Sequence, residues 1–206
     1  MRKTAGVLLA GGESSRFGHQ KVFASYQGEL FWEHSFSVLK AVTEKQMIIS
    51  HPNIAGRLKD AAPCPVLLDE PDVKGKGPLA GMYTAMNHVQ AEWYVFLACD
   101  LPLITNEAVL RLLDLRGNDI EAVIPKINGR LQPLIGVYHH SIHSLVKKQL
   151  KNQQYKMGSL LEKIKVLYVT EKDLQVDPFI FRNINSQEDY KELHTNGKIS
   201  ESHNNS

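Results

Sequence analysis

The chain is poor in cysteine and has no long apolar segment. Its 206 residues include two cysteines, Cys64 and Cys99, which cannot build a disulfide framework or a cysteine-rich zinc site and favour a reducing compartment. The longest apolar run, residues 93–99, falls well short of the roughly 20 residues that span a bilayer. The apolar stretch after Arg2 and Lys3 is too short for a convincing signal peptide and is followed by glycines. We therefore expect a cytoplasmic protein with no membrane association.

A strong excess of charge of either sign is also missing. The chain has 24 Lys and Arg against 22 Asp and Glu, for a formal net charge of +2. This balance argues against a nucleic-acid partner bound through bulk charge, while it permits a local basic pocket. With 43% hydrophobic residues, the chain can bury a core without metal or disulfide. We predict a single domain over residues 1–194 and a disordered polar tail over residues 195–206.

Apolar runs alternate with helical patterns along the chain. Residues 6–10 form a short continuous apolar run before a glycine pair, which is typical of a strand buried on both faces. Residues 93–99 form the clearest strand, and Pro78 suits the first position of a helix. This alternation predicts a three-layer α/β fold, a mostly parallel sheet with helices on both faces, in which ligands bind beyond the carboxyl ends of the strands. The other predicted strands cover residues 46–50, 66–68, 122–124, 134–138, 165–170 and 179–184.

Two glycines and two basic residues follow the first strand. Gly11 and Gly12 let backbone amides approach an anion closely, and Arg16 and Lys21 add positive charge in the same segment. Together they predict a cradle for a polyphosphate. The segment matches neither the P-loop nor the dinucleotide-binding fingerprint. On its own, an ordinary glycine turn with exposed basic residues explains it equally well.

Two carboxylates follow predicted strands directly. Asp69 comes after residues 66–68, and Asp100 comes after residues 93–99. A carboxylate in this position faces the ligand crevice and is a natural ligand for Mg²⁺, although either residue could instead open a turn. Residues 75–81 form a glycine-rich loop that enters a helix, and such an N-terminus can receive a flat base or an anion. A flexible loop before a helix is the alternative.

Three segments jointly resemble the molybdenum cofactor guanylyltransferases of the MobA type. They are Leu-Ala-Gly-Gly at 9–12 leading to Lys21, Gly-Pro-Leu-Ala-Gly at 77–81, and Cys-Asp-Leu-Pro at 99–102. The resemblance extends over residues 7–193. The double glycine together with the second segment points to the guanylyl branch, since related cytidylyl enzymes typically have Leu-Ala-Ala-Gly. The implied fold is the Rossmann-like nucleotidyltransferase fold.

The resemblance implies transfer of GMP from GTP to molybdenum-molybdopterin with release of diphosphate. The implied cofactor is Mg²⁺, held by Asp100, and cofactor-biosynthesis or delivery proteins are the further partners. Charge and the resemblance together assign Arg16, Lys21 and Asp100 to catalysis. Arg16 and Lys21 would stabilise the leaving diphosphate, and Asp100 would act through the Mg²⁺ that it holds. The resemblance places GTP on six residues, which are Leu9, Ala10, Gly11, Lys21, Asp69 and Asp100. The two glycine-rich segments add Gly12, Gly77, Pro78 and Leu79 to the predicted GTP-binding residues.

The acceptor is expected at a second place on the same open edge. Asn183 and Asn185 lie in an Asn-Ile-Asn-Ser stretch that resembles the family segment associated with molybdopterin, and we expect them to lie away from the GTP loop. Capping of the last helix by Ser186 is a compatible alternative. The chain departs from the family near Ser50 and His51, where an asparagine is often found, and its glycine loop is a short variant.

Other interpretations stay open at this point. A different nucleotidyltransferase would use CTP or UTP with a sugar, alditol or pterin phosphate. A non-catalytic nucleotide-binding protein is a further alternative, against which the combination of Asp100 with Arg16 and Lys21 argues. The histidines at 139, 140 and 143 have no further ligand nearby in sequence, so we do not expect a zinc site there.

Overall fold

A computed structural model of the protein describes residues 3–11 and 21–203, from residue 196 onward as backbone. Within this part, ten strands and seven helices alternate along the chain. The strands are β1 (Thr4–Ala10), β2 (Ser25–Tyr26), β3 (Glu29–Leu30), β4 (Lys45–Ser50), β5 (Val66–Leu67), β6 (Trp93–Ala98), β7 (Ala122–Ile127), β8 (Arg130–Leu131), β9 (Ile135–His139) and β10 (Val166–Val169). The helices are α1 (Phe31–Val42), α2 (Pro52–Ala61), α3 (Pro78–His88), α4 (Asn106–Asp114), α5 (His143–Lys151), α6 (Met157–Leu161) and α7 (Gln187–His203).

One mixed, mostly parallel sheet organises the fold. Its strand order is β10-β7-β9-β6-β1-β4-β5, with β8 paired to β7. Strand β1 pairs in parallel with β4 and β6, and β5 extends the parallel set beyond β4. Strand β9 is antiparallel to both of its neighbours. The predicted α/β fold class is confirmed.

The sheet is covered by helices on both faces. Along β1, Leu8 packs in a cluster with residues of α1, α2 and α4, whereas Val7 and Leu9 pack with residues of α3, α5 and α6. Successive side chains of a strand point to opposite faces, so a central strand between two helical layers needs apolar residues throughout. All seven residues of β1 are buried accordingly.

One strand prediction is wrong. Residues 179–184 are not a strand, because Pro178 opens a 3-10 turn at Pro178–Phe181 that Asp177 caps by accepting the amide of Phe179 at 2.8 Å.

The last described element is a helix that packs on the body of the fold. Leu193 is buried with Phe31 and Ile184, and the backbone of α7 continues to His203. The predicted disorder of residues 195–206 stays a prediction. In the described part of the chain, no helix combines the length and apolar character that a membrane span requires.

The packing of α1 on β1 predicts a strong effect of a single methyl group. A Cβ atom at Gly6 would lie 2.7 Å from Thr43 Oγ1 and 3.0 Å from Leu39 Cβ. We expect Gly6→Ala to lower the free energy of unfolding by roughly 1–3 kcal/mol, as overpacked cores do. The matched control is Gly56→Ala on the exposed side of α2, where no atom lies within 4 Å of the new Cβ and a gain of about 0.5–1 kcal/mol is expected. Urea denaturation measures both, and equal effects would contradict this account of the packing.

Candidate functional site

The carboxyl ends of four parallel strands meet at one edge of the sheet. The amide of Cys99 donates to the carbonyl of Leu9 at 3.3 Å, and the amide of His51 donates to the carbonyl of Ala10 at 3.2 Å. The first residues beyond β1, β4 and β6 are thereby held side by side. Sheets of this kind place their ligands at such an edge, so the residues that follow these strands form the candidate site.

Lys21, Asp100 and Asn185 form the centre of this site. Lys21 Nζ donates to Asp100 Oδ2 at 2.7 Å and to Asn185 Oδ1 at 2.9 Å. The Lys21 and Asp100 side chains are only 14% and 13% exposed. The amide of Ile184 also donates to the carbonyl of Asp100 at 3.1 Å. Two of the three predicted catalytic residues, Lys21 and Asp100, are thus in direct contact. Asn185, which is predicted to bind the acceptor, also contacts Lys21.

One of the two carboxylate oxygens of Asp100 has no hydrogen-bond partner among the described residues. This atom, Oδ1, is buried. A buried carboxylate oxygen without a partner is costly unless a ligand satisfies it. The described residues contain no group of three or more His, Cys, Asp or Glu side chains that could hold a metal ion. This donor set fits Mg²⁺, which commonly takes one or two carboxylates and completes its coordination with water and phosphate oxygens.

A loop after β5 borders the site on the other side. Asp69 Oδ2 accepts a hydrogen bond from the amide of Gly75 at 3.2 Å. Burial raises the pKa of the Asp69 carboxyl, while this hydrogen bond and the charge of His51 oppose the rise. Gly75 and Gly77 both have φ of +73°, and neither has an atom within 4 Å of an added Cβ. The positive φ favours glycine at both positions. The empty surroundings leave open space beside Pro78, the first residue of α3.

Comparison with known proteins places the chain in a family. Residues 6–167 match the MobA-like NTP transferase domain. Probable molybdenum cofactor guanylyltransferases from Bacillus anthracis and Bacillus cereus are each 40% identical over 190 residues, which cover 92% of this chain and 95% of the relative. The chain belongs to the MobA-like NTP transferase family. It is therefore a nucleotidyltransferase.

Solved structures share its fold at low sequence identity. Molybdopterin-guanine dinucleotide biosynthesis protein A from Archaeoglobus fulgidus superposes with a TM-score of 0.78 at 22% identity, covering 92% of this chain and 96% of that one. A 4-diphosphocytidyl-2C-methyl-D-erythritol synthase from Anaerococcus prevotii reaches 0.73 at 13% identity, covering 96% and 99%. These similarities show a common Rossmann-like nucleotidyltransferase fold.

The side chains of several predicted GTP-binding residues belong to the core. Leu9, Ala10 and Leu79 are at most 8% exposed, so a ligand at this edge would contact their backbone. A Cβ at Gly81 would lie 2.9 Å from Leu9 Cδ2, which explains why a glycine stands where α3 crosses β1. Gly11 is exposed. The predicted residues Gly12 and Arg16 lie outside the described residues, and their roles stay predictions.

The two asparagines differ in their surroundings. Asn185 lies next to Lys21, so the expectation that it lies away from the GTP loop is wrong. The reason is the hydrogen bond of Ile184 to Asp100, which brings the segment against the end of β6. Asn183 Oδ1 is buried and has no partner among the described residues. Ser186 caps α7, since its Oγ accepts the amide of Asp189 at 3.1 Å.

Two other candidate groups offer no chemistry to this site. Burial, together with the charge of Asp100, raises the pKa of the Cys99 thiol to about 12, and Lys21 only partly opposes this. The thiol is therefore a poor nucleophile at neutral pH. His143 Nε2 lies 2.8 Å from Asn87 Oδ1, and His139 Nδ1 accepts the amide of Ser141. These histidines have local structural partners.

Two surface cavities lie outside the centre of the site. One of about 470 Å³ lies behind the loop after β5, between α3 and α5. The other, of about 360 Å³, lies near the amino end of β6 beside Glu92 and His140. Neither includes Lys21 or Asp100. The lining of the first includes Val73, Lys76, Tyr83, Lys147, Lys151 and Tyr155.

The contact between Lys21 and Asp100 predicts a specific stability effect. Lys21→Met leaves a largely buried carboxylate without its counter-charge, and we expect it to lower the free energy of unfolding by about 1–3 kcal/mol. Adding Asp100→Asn to that variant is expected to restore part of the loss, because the unpaired charge is gone. The control is Glu107→Gln, which breaks an exposed ion pair with Arg111 on α4 and should change little. Additive losses in urea denaturation would contradict the pairing.

Proposed function

We propose that the protein transfers GMP from GTP to the terminal phosphate of molybdenum-molybdopterin, forming molybdopterin guanine dinucleotide. The observation that carries this proposal is 40% identity to probable molybdenum cofactor guanylyltransferases along nearly the full length of both chains. The Leu-Ala-Gly-Gly and Gly-Pro-Leu-Ala-Gly segments support GTP as the donor. As part of the proposal, the reaction takes place in the cytoplasm, and delivery proteins receive the product.

The reaction needs alignment and charge stabilisation rather than a protein nucleophile. An oxygen of the acceptor phosphate attacks the α-phosphorus of GTP, and the bond from that phosphorus to the bridging oxygen breaks, so that diphosphate leaves with the electron pair. The acceptor oxygen is already an anion. Catalysis then rests on holding the reactants in line and on stabilising charge on the leaving group.

Lys21 is the residue best suited to the leaving group. Its ammonium carries three donors, of which two are used by Asp100 and Asn185. The third has no partner among the described residues and is assigned to a phosphate oxygen. Arg16 is proposed for the same task, with the backbone of Gly11 and Gly12 in support.

Asp100 is proposed as the Mg²⁺ ligand through Oδ1, which has no partner in the described part of the chain. When bound, the ion would neutralise negative charge on the reacting phosphates. The Lys21 ammonium forms an ion pair with the other carboxylate oxygen, Oδ2. The Asp100 side chain is therefore held in place before the nucleotide binds.

The base and the acceptor are proposed on opposite sides of this centre. Guanine is assigned to the open space beside Gly75 and Gly77, with Asp69 shaping the loop. The pterin is assigned to Asn183, whose buried amide oxygen lacks a partner among the described residues. A carboxamide suits a pterin because it offers both donor and acceptor atoms to the heterocycle edge. Asn185 lies between the two, beside Lys21.

The proposed activity predicts nucleotide-specific product formation. Incubation with molybdenum-molybdopterin, MgCl₂ and each labelled nucleoside triphosphate should give a dinucleotide product with GTP alone. Asp100→Asn should lower this turnover by about a hundredfold, the scale of losing one strong electrostatic stabiliser. Product with CTP or UTP would favour another nucleotidyltransferase. Nucleotide binding without product would favour a binding protein.

The role of Lys21 predicts a difference between nucleotides. Lys21→Met should weaken GTP by roughly tenfold but GMP by less than about twofold, because the lost charge-assisted contact is to the distal phosphates. Isothermal titration calorimetry measures both, and Lys148→Met on the exposed side of α5 is the control. Equal losses for the two nucleotides would instead assign Lys21 to the base or the α-phosphate.

A further inference from the structure

The segment that carries Asn185 is held by a carboxylate from α7. Asp189 Oδ2 accepts hydrogen bonds from the amides of Asn185 and Ser186, both at 2.9 Å. On the preceding residue, the amide of Ile184 donates to the carbonyl of Asp100 at 3.1 Å. Three consecutive amides are therefore fixed, and the backbone at Asn185 has little freedom to move.

Asp189 is in turn held as an anion. Arg182 Nη2 lies 3.4 Å from Asp189 Oδ1 and also contacts Glu192. Burial opposes ionisation of the carboxyl, but hydrogen bonds from Asn185, Ser186 and Arg182 outweigh it, so the pKa of Asp189 lies below its ordinary value. The side chain therefore stays ionised and accepts both backbone hydrogen bonds across the neutral pH range.

Asn185 is one of the groups that hold the Lys21 ammonium. Among the described residues, Lys21 Nζ has two acceptors, Asn185 Oδ1 and Asp100 Oδ2. Two acceptors on an ammonium restrict its remaining donor to one direction. Asn185 is neutral, so it directs the charge without cancelling it. Without Asn185, the ammonium would be held by Asp100 alone, at the end of a long and flexible side chain.

We propose that Asp189 is a positioning residue of the nucleotide site, acting through Asn185 to fix Lys21 Nζ for the phosphates. The proposal rests on the proposed function, since it takes Lys21 as a phosphate ligand. Asp189 forms no contact with Lys21 or Asp100 among its described hydrogen bonds. A residue that only caps α7 would change stability and leave nucleotide affinity unchanged.

A double-mutant cycle on GTP affinity tests this proposal. Asp189→Ala should weaken GTP about five- to tenfold in the unmodified protein and less than about twofold when Lys21→Met is already present. Asn185→Ala, which changes an exposed side chain, should reproduce the same pattern. Asp189→Asn should retain most of the affinity, because its amide oxygen can still accept both backbone hydrogen bonds. Calorimetric titration with GTP gives the affinities, and urea denaturation gives the stabilities.

The matched control is Ser186→Ala. It removes the hydroxyl that caps the same helix but leaves both amides bonded to Asp189, so it should lower stability without changing GTP affinity. Equal losses of affinity in both backgrounds of the cycle, or the same loss with Ser186→Ala, would overturn the proposal. Unchanged affinity in both Asp189→Ala and Asn185→Ala would also overturn it, while leaving the proposed function intact. Unchanged affinity in Lys21→Met would refute the phosphate role of Lys21 in the proposed function, and the positioning proposal with it.

Discussion

The ion pair between Lys21 and Asp100 is the contact on which the candidate site depends. It joins residues 79 positions apart in the chain, and Asn185 adds a third segment that lies 164 positions from Lys21. A carboxylate at the end of a buried strand requires a counter-charge. Lys21 supplies it and, in doing so, keeps its own ammonium at the edge where ligands bind. The pairing that offsets the buried charge of Asp100 also holds the ammonium that we propose as a phosphate ligand.

The fold around this contact determines where the side chains of the site lie. Parallel strands β1, β4, β5 and β6 bring their carboxyl ends to one edge, and the open glycines at 75 and 77 leave room beside it. The same fold occurs in a cytidylyl-type synthase of low identity, so the fold alone does not define the acceptor. We propose that selectivity for a base and an acceptor lies in the loops at this edge, including the segment from Asn183 to Ser186 that Asp189 and Asp100 hold in place.

Strong local patterns made part of this structure predictable. The uninterrupted apolar run before Asp100, the run before Gly11 and the proline at position 78 each determine an element with little help from distant residues. The Pro178–Phe181 turn escaped prediction because its apolar side chains resemble a strand, while a proline and the Asp177 cap decide its backbone. The contact of Asn185 with Lys21 leaves no local signature, since it arises from the packing of segments far apart in the chain.

The most direct test of this account is a crystal structure of the protein with MgCl₂ and a GTP analogue carrying a methylene bridge between the α- and β-phosphates. We expect the triphosphate beyond the carboxyl ends of β1 and β6, with Lys21 Nζ on a phosphate oxygen and the Asp100 carboxylate facing the same phosphates. A nucleotide bound instead in the cavity beside Lys76, Lys147 and Lys151, with the pair of Lys21 and Asp100 unchanged, would contradict it.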